Sequence, residues 1–461
     1  MGGHTLGLSI ALVAGLLAPR AQAVVKTWAG IDGGSYSTPA NWSPSGTPLP
    51  ADSLLFANGA VPVTYDIVFD ADPTVTQVVV ATSPLLFVGN TRTLSLTSTL
   101  VSDPSRSLVI GRNGSGTNNA VLTSQLAQLN TTYTVLGVDA GSVGVLNIIG
   151  GTFSVSGTAA FSDFLIGSSG TGTVNVLNGG DVTVADNTNL ATFDASVGNI
   201  NIIGSGSTWK NTGAVSFLEG TGTIMVADGG VLTANGGVNL FGGKLAGNSE
   251  VVAAVTNDVS GTVAPSGLAS SLGALRITGS YTQDASSTLE IELAGTTTGT
   301  FDRLNVSGAA TLAGTLAVTL KSFSPPQNAA FDILDFGSRT GTFSTVSLPA
   351  LAGQLEWDTS KLYVDGTIRV TLPGDFNNNG MVDSADYVVW RNGLGTTFVA
   401  SDYNVWRSHF GAKASGSAAG AGSAVPEPGS VAFVCAATAC GALFLGRKHS
   451  ASTGRAELAA S

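Results

Sequence analysis

Three kinds of residue are scarce in this sequence: cysteine, histidine and charged side chains. The two cysteines among 461 residues, Cys435 and Cys440, both lie in one apolar run near the C-terminus. No disulfide can therefore cross-link the main body of the chain. Backbone hydrogen bonds and side-chain packing must hold that body together.

Histidine is absent from residues 24–408. This absence excludes a Ser-His-Asp triad and a histidine-bound zinc ion from that part of the chain. A carboxylate pair for glycoside cleavage stays open, because Glu290 and Glu292 fall on one face of a predicted strand, about 7 Å apart. Solvated surface carboxylates have the same spacing, so we assign no catalytic residue.

Charged residues make up 11% of the chain, and the net charge is −11. This composition gives no basic surface, so nucleic acid is not an expected partner. Hydrophobic residues nevertheless reach 43%, in short alternating runs interrupted by many of the 61 glycines. The combination predicts a folded all-β protein instead of a disordered chain.

One short unit recurs in the middle of the chain. Copies such as "GVLNIIG" and "GTVNVLNGG" start 28, 26 and 24 residues apart, and a fainter copy lies 28 residues upstream of the first. The starting residues are Gly116, Gly144, Gly172, Gly198 and Gly222. Such a unit cannot bury its apolar face alone but can do so when stacked on its neighbours, so we expect a β-solenoid over residues 108–265.

Each copy is preceded by one short strand and followed, after a glycine-rich turn, by another. In a stacked solenoid each strand pairs with its equivalent one coil along, about 4.8 Å away. Asn147, Asn175 and Asn201 occupy equivalent positions in three coils. We therefore expect an asparagine ladder inside the solenoid or at one of its corners.

Both flanks of the repeats also predict strands. Residues 24–107 contain Trp28 and Trp42 among turn residues, which indicates either an apolar cap on the stack or a sugar-stacking platform, and the cap is favoured. Residues 266–372 carry longer strands, expected as further coils or as a small sandwich. Within them "FDRLNVSGAATLAGTL" (301–316) resembles the segment that closes autotransporter-type β-strand repeats in bacterial surface proteins, which implies passenger-like architecture.

A twelve-residue pattern of oxygen-bearing side chains begins at Asp375. Gly380 at position 6 permits the tight turn by which such a loop converges six to eight oxygens on a hard cation. We therefore expect Ca²⁺ as a cofactor, against the alternative of a polar turn without metal. The candidate ligands are Asp375, Asn377, Asn379, the Met381 carbonyl, Asp383 and Asp386.

Two short helices are predicted after this pattern. The first begins near Ser384 and ends at Gly393 or Gly395, and the second lies in "SDYNVWRSHFG". Both segments contain D-Y-x-V-W-R, at 386–391 and 402–407. This duplicated loop–helix pattern resembles a type I dockerin, which implies a calcium-organised helix pair that binds a cohesin-like protein.

The second copy departs from the dockerin pattern. Its positions 1, 3 and 5 are Arg391, Gly393 and Gly395, and none of these offers a side-chain oxygen. We therefore expect a single calcium site.

Residues 1–23 hold an apolar run that ends in an A-x-A pattern. This is typical of a secretory signal peptide, so we expect an exported protein located at the cell surface or outside the cell. A buried helix is the alternative.

Near the other end, Pro426, Glu427 and Pro428 precede the apolar run 431–445 and a basic flank. This order, within residues 425–461, resembles the PEP-CTERM sorting signal, which implies recognition of the Pro-Glu-Pro motif and removal by an exosortase-type membrane protease. The run of about 15 residues spans roughly 22 Å, short of the ~30 Å bilayer core. A permanent C-terminal membrane anchor is the alternative.

Taken together, the sequence predicts a non-enzymatic exported surface or matrix protein, adhesive or associated with exopolysaccharide, whose docking module depends on calcium. The alternative is a secreted glycoside hydrolase or polysaccharide lyase that carries a dockerin. Expected partners are the sorting protease, a cohesin-like protein and polysaccharide, with membrane contact only through the C-terminal segment.

The expected regions are a signal peptide (1–23), an N-terminal β/cap region (24–107), the β-solenoid (108–265), a C-terminal β region (266–372), an α-helical dockerin-like calcium module (373–413), a flexible linker (414–424) and a sorting signal with its helix (425–461).

Overall fold

The computed structural model describes residues 23–57, 64–81, 84–100, 106–112, 119–158, 164–266 and 271–414. All of them belong to one of two units, Met1–Ser415, and the other unit, Gly416–Ser461, lies outside the described residues. Strand accounts for 49% of the structure and helix for 6%, which confirms the expected all-β class. The strands wind into a β-solenoid of about 11 turns.

Each full coil contributes one strand to each of three parallel faces, here named A, B and C. Face A contains Gly34–Ser35, Tyr65–Val68, Val143–Ile149, Thr171–Leu177, Val197–Ile203, Thr221–Ala227, Lys244–Ala246, Thr262–Ala264, Thr288–Leu293, Thr315–Leu320 and Thr345–Ser347. Face B contains Thr74–Val75, Thr152–Val155, Asp181–Val184, Thr208–Asn211, Val231–Ala234, Glu250–Val252 and Ala274–Ile277. Face C contains Val25–Trp28, Ser53–Phe56, Gln77–Val80, Leu108–Ile110, Thr134–Leu136, Phe164–Ile166, Thr188–Leu190, Val215–Phe217, Val238–Asn239, Val255–Asn257 and Tyr281–Gln283.

Four longer strands turn a corner and serve two faces. Pro84–Leu96 and Ala120–Thr131 run from face A to face B, and Arg303–Leu312 and Leu334–Gly341 run from face B to face C. The coils are therefore continuous with those of the repeat region at both ends.

The parallel ladder is not limited to residues 108–265. It joins strands from Val25–Trp28 to Thr345–Ser347 in one sheet. Of the two alternatives for the region after 265, the structure therefore contains further coils. They end against a small antiparallel sheet formed by Ala330–Asp332, Thr367–Thr371 and Glu356–Asp358.

The repeat starts identified in the sequence are in register in the structure. Gly144, Gly172, Gly198 and Gly222 stack on one another along face A. A Cβ on Gly198 would lie 2.5 Å from the Ile166 carbonyl oxygen, so the close approach of neighbouring turns requires glycine there. The fainter copy was aligned wrongly, because Ala120 pairs with Gly144 and Gly116 lies outside the described residues.

Alternation along each strand sends one row of side chains into the solenoid. Leu146, Val174, Ile200 and Ile224 stack in successive coils and are completely buried. Burial of each such side chain contributes roughly 1.5–3 kcal/mol, and it stabilises a main body that no disulfide can cross-link. Aromatic rings fill the wider parts of the core; Trp209, for example, stacks on Phe164 at 5.7 Å between ring centroids.

The predicted asparagine ladder is confirmed. Asn175 donates to Asn147 and Asn201 donates to Asn175, both at 2.7 Å. Its expected place inside the solenoid or at a corner is wrong, because these residues are half-buried on the outer side of face A. Their strand neighbours Leu146 and Ile148 take the inward positions of the alternation.

At the N-terminal end Trp28 and Trp42 are 1% and 2% exposed and pack edge to face at 4.9 Å. The strand Trp42–Ser43, which follows a short 3₁₀ helix at Pro39–Asn41, pairs antiparallel with Val25–Trp28. Both tryptophans therefore cap the core, as favoured from the sequence. Neither ring face is available to a sugar.

Two short helices follow the last sheet. The first, α1, spans Ser384–Gly393 and the second, α2, spans Asp402–His409. The expected beginning near Ser384 and the expected end at Gly393 are both confirmed, and Asp383 caps the helix. No helix in the described part of the chain is long and apolar enough to cross a membrane.

Candidate functional site

The predicted calcium loop begins a few residues after the strand Thr367–Thr371. The side chain of Asp375, only 7% exposed, accepts hydrogen bonds from the backbone N–H of Asn379 at 3.1 Å and of Gly380 at 2.8 Å. A third donor comes from far along the chain, because Gln327 Nε2 lies 2.6 Å from Asp375 Oδ2 across 48 residues of sequence. No local motif marks Gln327, and the sequence analysis missed it.

The next two candidate ligands continue the curl of the loop. Asn377 Oδ1 accepts from the Asn379 N–H, and Asn379 Oδ1 accepts from the Met381 N–H, both at 2.9 Å. Gly380 adopts a φ of +87°, in the left-handed region that glycine enters without steric cost. These contacts fold the segment back on itself around Asp375.

The last two candidate ligands join the loop to α1. Asp383 Oδ1 accepts from the Ala385 N–H at 2.7 Å, and Asp386 Oδ2 accepts from the Asp383 N–H at 2.8 Å, which forms a capping box. Asp386 is fully buried, and its Oδ1 accepts from the Asn377 N–H at 3.0 Å. The structure thus links the start of the loop, its end and the first turn of the helix through one carboxylate.

The charge of this loop is unbalanced. Among the described residues, neither Asp375 nor Asp386 forms an ion pair with a lysine, arginine or histidine. A buried carboxylate without a cationic partner is costly, so these residues fit a bound cation. Their donor set consists of oxygen only, which suits a hard ion such as Ca²⁺ better than zinc.

Calcium itself stays a prediction. Within the described ranges no three Asp, Glu, His or Cys side chains converge as a metal-binding group. The three carboxylates of the predicted ligand set, Asp375, Asp383 and Asp386, therefore do not converge as a metal-binding group in this structure.

The second D-Y-x-V-W-R copy has a different local structure. Asp402 Oδ2 accepts from the Val399 N–H at 2.9 Å, three residues upstream, and takes part in no oxygen-lined loop. Its helix instead packs on the first through a group of aromatic rings whose centroids lie 5.3 to 6.2 Å apart. These rings are Tyr387, Trp390, Tyr403 and Trp406.

Beside these rings the helix pair exposes apolar side chains. Val388 on α1 is 53% exposed, and Phe410, directly after α2, is 58% exposed. The two-helix unit therefore combines a loop with buried carboxylates and at least two exposed apolar side chains.

The candidate carboxylate pair of the alternative enzymatic hypothesis is engaged elsewhere. Glu290 forms an ion pair with Lys244, and Glu292 forms one with Lys321, each at 2.7 Å. Both glutamates lie on the outer side of face A. They are surface carboxylates, as favoured from the sequence, but their ion pairs with lysines were not predicted.

An open groove of about 510 Å³ crosses four successive coils where face B turns toward face C. Its walls combine hydroxyl and amide side chains with the apolar Val155, Val184 and Ala185, and Lys210 is the single charged residue that lines it. The polar side chains are Ser154, Ser156, Thr183, Asn211, Thr212, Thr233 and Asn235. Such a surface offers many hydrogen-bond donors and acceptors along the solenoid axis.

The predicted signal peptide (1–23) reaches the described part of the chain only at its last residue, and the sorting motif Pro426, Glu427 and Pro428 lies outside the described residues. No protein-family model matches this chain, and no curated protein matches it significantly. The case for function therefore depends on the geometry described above.

Proposed function

We propose that this chain is a non-enzymatic exported surface or matrix protein, with a β-solenoid body that displays a polar surface and a calcium-dependent module that docks to a partner. The observation that carries the proposal is the pair of buried carboxylates, Asp375 and Asp386, in an oxygen-only loop without an ion-pair partner among the described residues. A bound Ca²⁺ would supply the positive charge that this loop lacks.

Binding would act on the docking surface through Asp386. That carboxylate holds both the start of the loop and the first turn of α1, so neutralising it favours the folded arrangement of both. The exposed Val388 and Phe410 would then be presented on a rigid helix pair. A cohesin-like protein is the proposed partner, by the resemblance of the duplicated helices to a dockerin.

Polysaccharide is the proposed ligand of the solenoid body. The groove around Lys210 supports this proposal, since hydroxyl and amide side chains over four coils suit the hydroxyl groups of an extended glycan. Export and removal of the tail by a sorting protease complete the proposal. They are inferred from the sequence of residues 1–23 and 425–461.

Calcium binding is tested by titration calorimetry of the full chain. The matched variants are Asp386→Asn and Asp402→Asn, which change the same position of the two helical copies. We expect the wild type and Asp402→Asn to bind one Ca²⁺, and Asp386→Asn to lose at least about tenfold in affinity, because ligand charge sets the affinity of such loops. If titration of the wild type with Ca²⁺ produced no heat of binding, the proposed calcium site would be wrong.

The non-enzymatic part is tested by incubating the full chain, with Ca²⁺, with a panel of acidic and neutral polysaccharides. We expect no release of reducing ends or unsaturated sugars, together with retention of the protein on at least one glycan. Release from any member would overturn the proposal in favour of an enzyme. If no sugar is released and the protein is retained on no glycan, the polysaccharide part of the proposal is wrong, and the docking module with a protein partner remains as the proposed interaction site.

A further inference from the structure

The calcium loop is not a separate domain on a tether. Leu372, just before the loop, and Val382 within it are 3% and 1% exposed, and both belong to the same buried cluster as the core of the solenoid. Ala412 and Ala414, after α2, belong to it as well. The apolar core of the last coils therefore continues without a break beneath the loop.

Residues after α2 pair with the middle of the loop. The Val382 N–H donates to the Ala412 carbonyl at 2.9 Å, and the Gly411 N–H donates back to the Val382 carbonyl at 2.8 Å. The Ala414 N–H donates to the Gly380 carbonyl at 3.0 Å. Positions 6 to 8 of the loop are therefore fixed by backbone bonds to a segment whose Ala412 and Ala414 lie in the core.

Gln327 makes a contact of another kind, from the solenoid directly to a candidate ligand. It lies between Thr315–Leu320 of face A and Ala330–Asp332 of the small sheet, and its Nε2 donates to Asp375 Oδ2. Its own backbone position is fixed, because the Asn328 N–H donates to the Val370 carbonyl at 2.8 Å. The amide is thus held against Asp375 by the strand that leads into the loop.

We propose that Gln327 is a positioning residue for the metal loop, and that cation binding to this loop locks the C-terminal end of the solenoid. This inference rests on the calcium binding proposed above. A donor that orients a ligating carboxylate typically contributes 10- to 100-fold to metal affinity. Thermodynamic linkage is reciprocal. If Gln327 in its observed position strengthens ion binding, then the bound ion stabilises that position of Gln327 and the coils that carry it.

The test uses the full chain and four proteins: the wild type, Gln327→Ala, Gln327→Met and Ser324→Ala. Met keeps the length of the side chain without its donor, and Ser324 is an exposed residue of the same loop. We expect Ca²⁺ affinity to fall about 10- to 100-fold in both Gln327 variants and to stay unchanged in Ser324→Ala. Wild-type affinity in Gln327→Met would show that the hydrogen bond does not position the loop, and would overturn the proposal.

Hydrogen–deuterium exchange provides the second readout. In the wild type we expect Ca²⁺ to slow exchange in residues 330–332 and 367–371 as well as in the loop, 375–386, and to leave the distant coil 143–155 unchanged. Protection confined to the loop, with Gln327 variants that bind normally, would overturn this inference and leave the calcium site intact. A wild type that binds no calcium would overturn both.

Discussion

The middle coils and the predicted calcium loop, residues 375–386, are stabilised in opposite ways. In the coils around Val174 and Ile200, one kind of contact is repeated: an apolar side chain stacks on its equivalent in the next turn, fully out of water. In the loop the contacts do not repeat: Asp375 and Asn377 both accept from the Asn379 N–H, and Asp386 accepts from the Asn377 N–H. The described coils between residues 119 and 266 bury no charged side chain, whereas the loop buries two carboxylates.

This difference predicts which parts of the molecule a bound ion can stabilise and which parts it cannot. A stacked apolar core is stabilised by burial, which does not depend on calcium. A loop with buried carboxylates that lack an ion-pair partner would gain stability from a bound cation. We therefore expect mutations in the coils to have the same effect with and without Ca²⁺, and mutations near the loop to depend on it.

The largest expected effect comes from Trp209→Ala in the middle of the solenoid. Trp209 is fully buried and stacks on Phe164, so its removal leaves a cavity across neighbouring coils. The free energy of unfolding should fall by about 3–5 kcal/mol, measured by chemical denaturation. The fall should be equal in calcium and in chelator.

The adjacent residue provides the control for this prediction. Lys210 points outward, its side chain is 59% exposed, and it forms a surface ion pair with Asp181 at 3.4 Å. Lys210→Ala should cost about 0–1 kcal/mol. If Ca²⁺ restored the stability that Trp209→Ala removes, the proposed independence of the coils from the loop would be contradicted.

The same difference explains how much was predictable from the sequence. Strand register on face A could be predicted at Gly144 and Gly172, because a contact that recurs in every coil requires similar residues at equivalent positions and so produces a sequence repeat. The same argument gave the Asn147–Asn175 bond but not its outward position, which depends on the phase of the alternation. Gln327 was unpredictable, since its contact with Asp375 occurs once and joins distant residues.

The extent of the solenoid was less predictable than its middle. In the flanking coils the strand lengths vary and chain corners fall within single strands, as in Pro84–Leu96 and Arg303–Leu312. The sequence repeat is no longer recognisable in these flanking coils, although their side chains pack into the same apolar core. An apolar core tolerates many side chains of suitable size, whereas a sequence repeat requires similar ones.

A second prediction concerns Asp302, a carboxyl group buried in the coils that follow the middle region. Asp302 is fully buried, and burial raises its pKa to about 7. Hydrogen bonds from the backbone N–H groups of Glu292 and Gly273 lower it, the Glu292 charge raises it, and the Lys321 charge lowers it. The folded protein therefore holds this proton more tightly than the unfolded chain, in which an Asp has a pKa near ~3.9.

The sign of the pH dependence follows from this shift. The contribution of Asp302 to stability is fully present below about pH 4 and is lost as the pH rises through about 7. In chelator, Asp302→Asn should make the free energy of unfolding fall less steeply between these pH values than in the wild type. Glu219→Gln, at an exposed position, should keep the wild-type slope, and an unchanged slope in Asp302→Asn would contradict the prediction.

The smallest expected effect tests whether polar contacts in the coils also act by repetition. Asn175 is the middle rung of the ladder, donating to Asn147 and accepting from Asn201, so Asn175→Ala breaks two bonds. Each bond contributes about 0.5–1.5 kcal/mol at most, because water competes for these half-exposed amides. Thr173→Ala, on the same outward side of the same strand, loses only a 3.5 Å contact with Asn199 and should cost less. Equal losses in the two variants would mean that the ladder contributes nothing beyond an ordinary surface position, and that stacking in this solenoid is apolar alone.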